Sequence, residues 1–130
     1  METLHGVMQF LYRMTQDRAI AERLTFEVAE RAGKTLLARK PGRRMTIELY
    51  RIAYNVLRGT ATSVNGQPVG RIMATLEERD RAAIVLHKYH HFECDEIAEI
   101  LGCSATAAAQ RLMRVYQVLA ATQLSAAAAG

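Results

Sequence analysis

The 130-residue chain has no tryptophan, two cysteines, two prolines and no long unbroken apolar stretch. Cys94 and Cys103 are isolated thiols without a repeated spacing, so they do not make the disulfide framework of a small secreted domain. A reduced, cytoplasmic setting is the simpler reading. No apolar run approaches the roughly 20 residues that span a bilayer, so no membrane partner is expected. The start, Met1-Glu2-Thr3-Leu4-His5, lacks the basic-then-apolar order of a signal peptide. Val, Ile and Thr never alternate as strands require. No Ser/His/Asp arrangement, phosphate loop or paired acid motif is present, so neither an enzyme nor a small-molecule substrate or cofactor is expected.

What is there is helix-forming. Half the residues are hydrophobic and 23% are charged, the balance of a globular protein, and Ala, Leu, Glu and Arg abound. The chain reads as all-α. Its net charge of +4 and pI near 9.4 fit a nucleic-acid partner without establishing one.

Apolar spacing places the helices. Leu4, Val7, Met8, Leu11 and Met14 mark the first. Asp17 is a good N-cap for a second, which buries Ile20, Ala21, Leu24 and Val28 and stops near Gly33. Arg39-Lys40-Pro41-Gly42-Arg43-Arg44 reads as a loop. Thr46 would cap a third helix with Leu49, Ile52, Ala53 and Val56 inward. The small, polar, glycine-bearing stretch 59–70 reads as a linker between two small helical domains, 1–58 and 71–124, with 125–130 a disordered tail. Two halves of about sixty residues stand near the lower limit for independent cores. Twelve linker residues reach at most about 40 Å extended.

The strongest local pattern is Asp95-Glu96-Ile97-Ala98-Glu99-Ile100-Leu101-Gly102-Cys103-Ser104. A helix-turn-helix needs a small residue where two helices cross (Ala98) and glycine at the sharp turn (Gly102). It also needs apolar residues facing inward on both sides (Ile97, Leu101, Ala108). Ser104 would cap the final helix, whose stripe is Ala108, Leu112, Val115 and Leu119. In a helix-turn-helix that second helix lies in the major groove; the plainer alternative is a helical hairpin in a bundle.

The blocks Thr75–Tyr89, Asp95–Ser104 and Arg111-Leu112-Met113-Arg114 resemble the C-terminal domain of extracytoplasmic-function sigma factors of the sigma-70 family. Phe10-Leu11-Tyr12-Arg13-Met14, Ala21–Val28 and Leu49-Tyr50-Arg51-Ile52-Ala53-Tyr54-Asn55 resemble that family's N-terminal domain, in the family's order. The resemblance implies a transcription initiation factor that binds RNA polymerase core and promoter DNA. Its first domain would engage the −10 element and its second the −35 element, and an anti-sigma factor is a further partner. It implies DNA contacts from Ser104, Thr106, Ala107, Gln110, Arg111 and Arg114, with the arginine-bearing side outward. It also implies DNA contacts from Arg39, Lys40, Arg43, Arg44, Arg51 and Asn55, and polymerase contacts from Glu22, Arg23, Phe26, Glu27 and Glu30.

Some residues depart from that pattern. Thr106-Ala107-Ala108-Ala109-Gln110 replaces the family's Gly-Thr-Val-Lys-Ser-like run, and alanine cannot make bidentate base contacts. Arg111 and Arg114 would then hold phosphates, which position without specifying. Glu48 stands where the family often has tryptophan. These departures support an alternative: a degenerate sigma-like interaction module that binds polymerase, an anti-sigma factor or itself without reading DNA sequence. From Arg31 to Arg44 six basic residues (Arg31, Lys34, Arg39, Lys40, Arg43, Arg44) occur with no acid, a patch suited to phosphate or a solvated loop. His87, His90, His91 and Cys94 cluster locally, but no second ligand pair stands nearby and no metal site is expected. Asp80, Asp95 and Glu96 read as helix starts and surface charge.

Overall fold

The computed structural model describes the backbone of residues 2–37, 42–59 and 77–129, and the side chains of residues 3–33, 42–59 and 77–121. Among them are six α-helices and no strand: α1 (Glu2–Thr15), α2 (Arg18–Leu37), α3 (Arg43–Gly59), α4 (Glu78–His90), α5 (Cys94–Leu101) and α6 (Ala105–Ala129). The all-α expectation holds. The linker, apart from Gly59, lies outside the described residues, as do Arg39 and Lys40.

Local chemistry explains most boundaries. Asp17 caps α2 as expected, its Oδ1 accepting the Ile20 N–H at 3.1 Å. Gly33, at φ 70°, interrupts α2, but the helix resumes and runs to Leu37. The third helix begins three residues before the expected cap. Gly42 O accepts both the N–H and the hydroxyl of Thr46 at 3.0 Å, so Thr46 sits inside the first turn. Arg43 and Arg44 are therefore helical, not loop residues. The last helix continues through Ala129, where a disordered tail was expected. Alanine has the highest helix propensity, so a run of it extends a helix that packing has already nucleated.

Side chains follow the expected spacing. Val7, Leu11, Met14, Ala21, Leu24, Val28, Leu49, Ala53 and Val56 are buried in the N-terminal half. Ile97, Leu101, Ala108, Leu112 and Val115 are buried in the C-terminal half. In α4 the whole run Ala82–Leu86 is buried, more than one face. The reason is that α4 packs against α5 and α6 on one side and against α1 on another. Helix α3 lies against α5 in the same way, so the two halves share one continuous core cluster.

The seam between the halves is aromatic. Tyr50 packs on Phe10, His90 and Phe92 with ring centroids 5.8, 5.3 and 4.8 Å away, the tilted and edge-on geometries such rings prefer. The Tyr50 hydroxyl lies 3.0 Å from His90 Nδ1. Gly6 on α1 makes room for that hydroxyl: a Cβ there would overlap it, with Tyr50 Cζ 3.6 Å away.

Candidate nucleic-acid interface

The hairpin of α5 and α6 is built by its turn. Gly102 adopts φ 74°, ψ 40°, a left-handed conformation that costs glycine little. The N–H groups of Gly102 and Cys103 both donate to Ala98 O, at 2.8 and 2.9 Å, which closes α5. Ala98 is buried at the crossing. Ser104 then opens α6, its Oγ accepting the Ala107 N–H at 3.1 Å. The expected cap, turn and crossing residue are all in place.

This capping leaves the start of α6 facing solvent. Ser104, Thr106 and Gln110 are exposed, and Ala107 is half-buried. Met113 follows them with 63% of its surface exposed. The two arginines divide. Arg114 keeps 59% of its side-chain surface exposed, whereas Arg111 keeps 19%. Arg111 Nη1 donates to Asp80 Oδ1 at 2.8 Å, and Arg114 Nη2 reaches the same oxygen at 3.4 Å. Arg111 thus departs from the outward placement expected for it, because a buried carboxylate on α4 holds it inward. Asp80 in turn is not a surface helix start but the anchor of α6 on α4. A charge buried without a partner would be costly, and two guanidinium groups supply the compensation.

The basic residues of the N-terminal half are also distributed unevenly. Arg51 and Asn55 are exposed on α3. Arg43 forks onto Glu96, its Nη2 donating to Oε1 at 2.6 Å and its Nε to Oε2, and Nη2 also donates to His91 O at 3.2 Å. Arg44 pairs with Glu99 on α5 and, at 3.6 Å, with Glu48. The hydrogen bonds from these arginines hold the Glu96 and Glu99 carboxyls below the usual carboxylate range. Glu96 also accepts the Glu93 N–H at 2.9 Å and so caps α5. Arg31 pairs with Glu27 at 3.1 Å.

On α2, Glu22, Arg23, Phe26 and Glu30 form an outward face, with Glu27 half-buried beside it. Phe26 is 68% exposed at its centre. Glu22 meets Arg18 at 3.3 Å.

A family model for sigma-70, region 4, matches residues 67–119, the stretch that holds α4, α5 and nearly all the described side chains of α6. The match spans 53 of the chain's 130 residues and concerns that C-terminal stretch. The sigma-70 resemblance read from the C-terminal motifs agrees with this match. No curated protein sequence matches the chain. Among solved structures it is similar to the sigma factor RpoE of Bartonella quintana, crystallised with the anti-sigma factor NepR. The similarity has a TM-score of 0.71 at 16% identity and covers 90% of this chain and 89% of that one. At that identity the likeness concerns the fold.

Within this chain the histidines have separate contacts. His87 Nδ1 lies 2.7 Å from the Tyr116 hydroxyl, and His90 is turned into the aromatic seam. Cys94 and Cys103 are half-buried free thiols. Among the described residues no helix is long and apolar enough to cross a membrane. Asp80, Glu96 and Glu99 are the residues that motif reading missed as site elements. Their partners stand 31, 53 and 55 positions away in sequence, beyond any local periodicity.

Proposed function

We propose that this protein is a transcription initiation factor that bridges RNA polymerase core and promoter DNA. The observation that carries the reading is the capped, glycine-turned α5–α6 hairpin, whose Ser104, Thr106, Gln110 and Arg114 face solvent inside a region 4 match. In this reading α6 enters the major groove of the −35 element. Gln110 is the base reader, Arg114 a phosphate contact, and Ala107 a small residue allowing close approach. Arg111 acts chiefly as a positioning residue through Asp80. Arg51 and Asn55, with Arg39, Lys40, Arg43 and Arg44, contact DNA at the −10 element. The α2 face around Phe26, with Glu22, Arg23, Glu27 and Glu30, contacts polymerase. The protein works as a cytoplasmic factor without catalysis.

The test is a pull-down with core polymerase followed by run-off transcription. Retention on core and a promoter-dependent transcript are expected; absence of both refutes the proposal. Selection of bound DNA from a random pool would then define the sequence read by α6.

A second reading has a specific observation behind it. Arg111 is held inward, and alanines occupy much of the start of α6, which leaves few side chains for base contacts. The protein would then be an interaction module for polymerase, itself or an anti-sigma factor. The structural relative was crystallised with such a factor, which supports that partner class. A salt titration separates the readings, because true DNA binding falls steeply with salt in proportion to the phosphates contacted. Undetectable binding to duplex or forked DNA at low salt favours the module.

A further inference from the structure

The face that α6 presents to solvent is almost free of charge. The whole helix carries two arginines and no acid. Arg111 is held against Asp80 Oδ1 at 2.8 Å and keeps 19% of its side-chain surface exposed. Arg114 is exposed, but its Nη2 is drawn to within 3.4 Å of the same oxygen. Thr106, Gln110 and Met113 stand at i, i+4 and i+7, hence on one stripe of the helix. All three are exposed, Met113 most plainly of the large apolar residues on α6. Ala107 and Ala109, beside the stripe, are half-buried.

The four bases differ in what they show in the major groove. Guanine offers two acceptors, which a guanidinium or ammonium group reads, and cytosine offers an amino donor, which a carboxylate reads. Adenine offers an acceptor beside a donor, which a carboxamide matches. Thymine offers a methyl group, which apolar atoms cover. The stripe on α6 holds the second pair of reading groups and lacks the first. The Gln110 amide can donate from Nε2 to adenine N7 while its Oε1 accepts from the adenine N6 amino group. The Thr106 methyl and the Met113 side chain supply apolar atoms on the same stripe.

We propose that α6 selects A·T over G·C pairs by direct contact, with Gln110 on adenine and the side chains of Thr106 and Met113 on thymine methyl groups. The proposal rests on the DNA role of α6 given above and goes beyond it in naming what is read. Arg114, at the edge of the stripe, is left for phosphate, which positions the helix without specifying a base.

The test begins with a random duplex pool, selected with the full chain in the presence of RNA polymerase core. Positions whose preference changes in Gln110→Ala mark the segment read by α6, and A·T enrichment is expected there. The enriched duplex is then synthesised with uracil for thymine at those positions, which removes only the C5 methyl groups. Fluorescence anisotropy in the same mixture should show about three- to fivefold weaker binding for each contacted methyl lost, the factor for one buried CH2-sized group. Thr106→Ser with Met113→Ala removes the facing protein atoms at exposed positions. It should bring the thymine-to-uracil ratio toward one, with helix content unchanged by circular dichroism. Gln110→Arg should turn selection toward guanine.

G·C enrichment in that segment, or no position that responds to Gln110→Ala, overturns the proposal and leaves the DNA role standing. An A·T preference undiminished by uracil overturns it too, since groove shape then does the selecting. A thymine-to-uracil ratio that Thr106→Ser with Met113→Ala leaves unchanged has the same consequence. Absence of any enrichment refutes the proposal together with the DNA role.

Discussion

Replacing Gly6 by alanine sets two effects against each other. Gly6 lies within α1, where alanine is favoured over glycine by about 0.5–1 kcal/mol. Against this, the new methyl would overlap the Tyr50 hydroxyl. That ring is nearly fully buried and is held by Phe10, His90 and Phe92. It cannot turn aside without leaving His90, so the change costs about 1–3 kcal/mol of overpacking and about 1 kcal/mol of lost hydrogen bond. Gly6→Ala is therefore expected to destabilise by roughly 1–3 kcal/mol net. Tyr50→Phe removes the obstructing oxygen, and the nearest remaining atom, Cζ, is at ordinary contact, 3.6 Å. In that background Gly6→Ala should stabilise by up to about 1 kcal/mol. Urea denaturation of the four proteins, followed by circular dichroism, reads the cycle. If Gly6→Ala changes stability by the same amount and sign in both backgrounds, the close approach of α1 to the Tyr50 hydroxyl is wrong.

Further outcomes follow from the same contacts. Asp80→Asn should destabilise by roughly 1–3 kcal/mol, since it leaves the inward-held Arg111 without its charge partner; a lower urea midpoint at equal m-value checks this. Gly102→Ala should cost about 1–2 kcal/mol, because the turn requires φ 74°; a variant as stable as wild type would contradict the left-handed turn. Burial, aided by the charges of Arg13 and His91, lowers His90 from 6.5 to about 4. The unfolded chain therefore takes up that proton first, and the stability conferred by neutral His90 is complete above pH 6.5 and lost as pH falls toward 4. After discounting for partial solvent access, the loss is about 1–2 kcal/mol, and it should shrink in His90→Phe. Arg114→Ala should weaken DNA binding almost equally across sequences and reduce the salt slope by about one, whereas Gln110→Ala should relax sequence preference.

The helices and the helix-turn-helix were legible in the chain because their causes are local. Periodic apolar residues, Asp17 and Ser104 as caps, and Gly102 as a left-handed turn act within a few positions, and each is where its spacing placed it. Two boundaries were misjudged for related reasons. The start of α3 moved to Arg43, whose side chain is held by a helix about fifty residues later, and the terminal alanines extended a helix whose nucleus lies in the core. The outward face of α6 was half legible: spacing put Gln110 and Arg114 outside, but could not see Asp80 beneath Arg111.

Sequence by itself determined the element order, the inward stripes and the turn, since hydrogen bonding and capping are settled between neighbours along the chain. Only tertiary structure decided which charges are free. Asp80, Glu96 and Glu99 meet their arginines across 31 to 55 residues, and the aromatic seam around Tyr50 joins α1, α3 and the end of α4. Burial and ion pairing depend on which surfaces come together in space, and no local pattern records that.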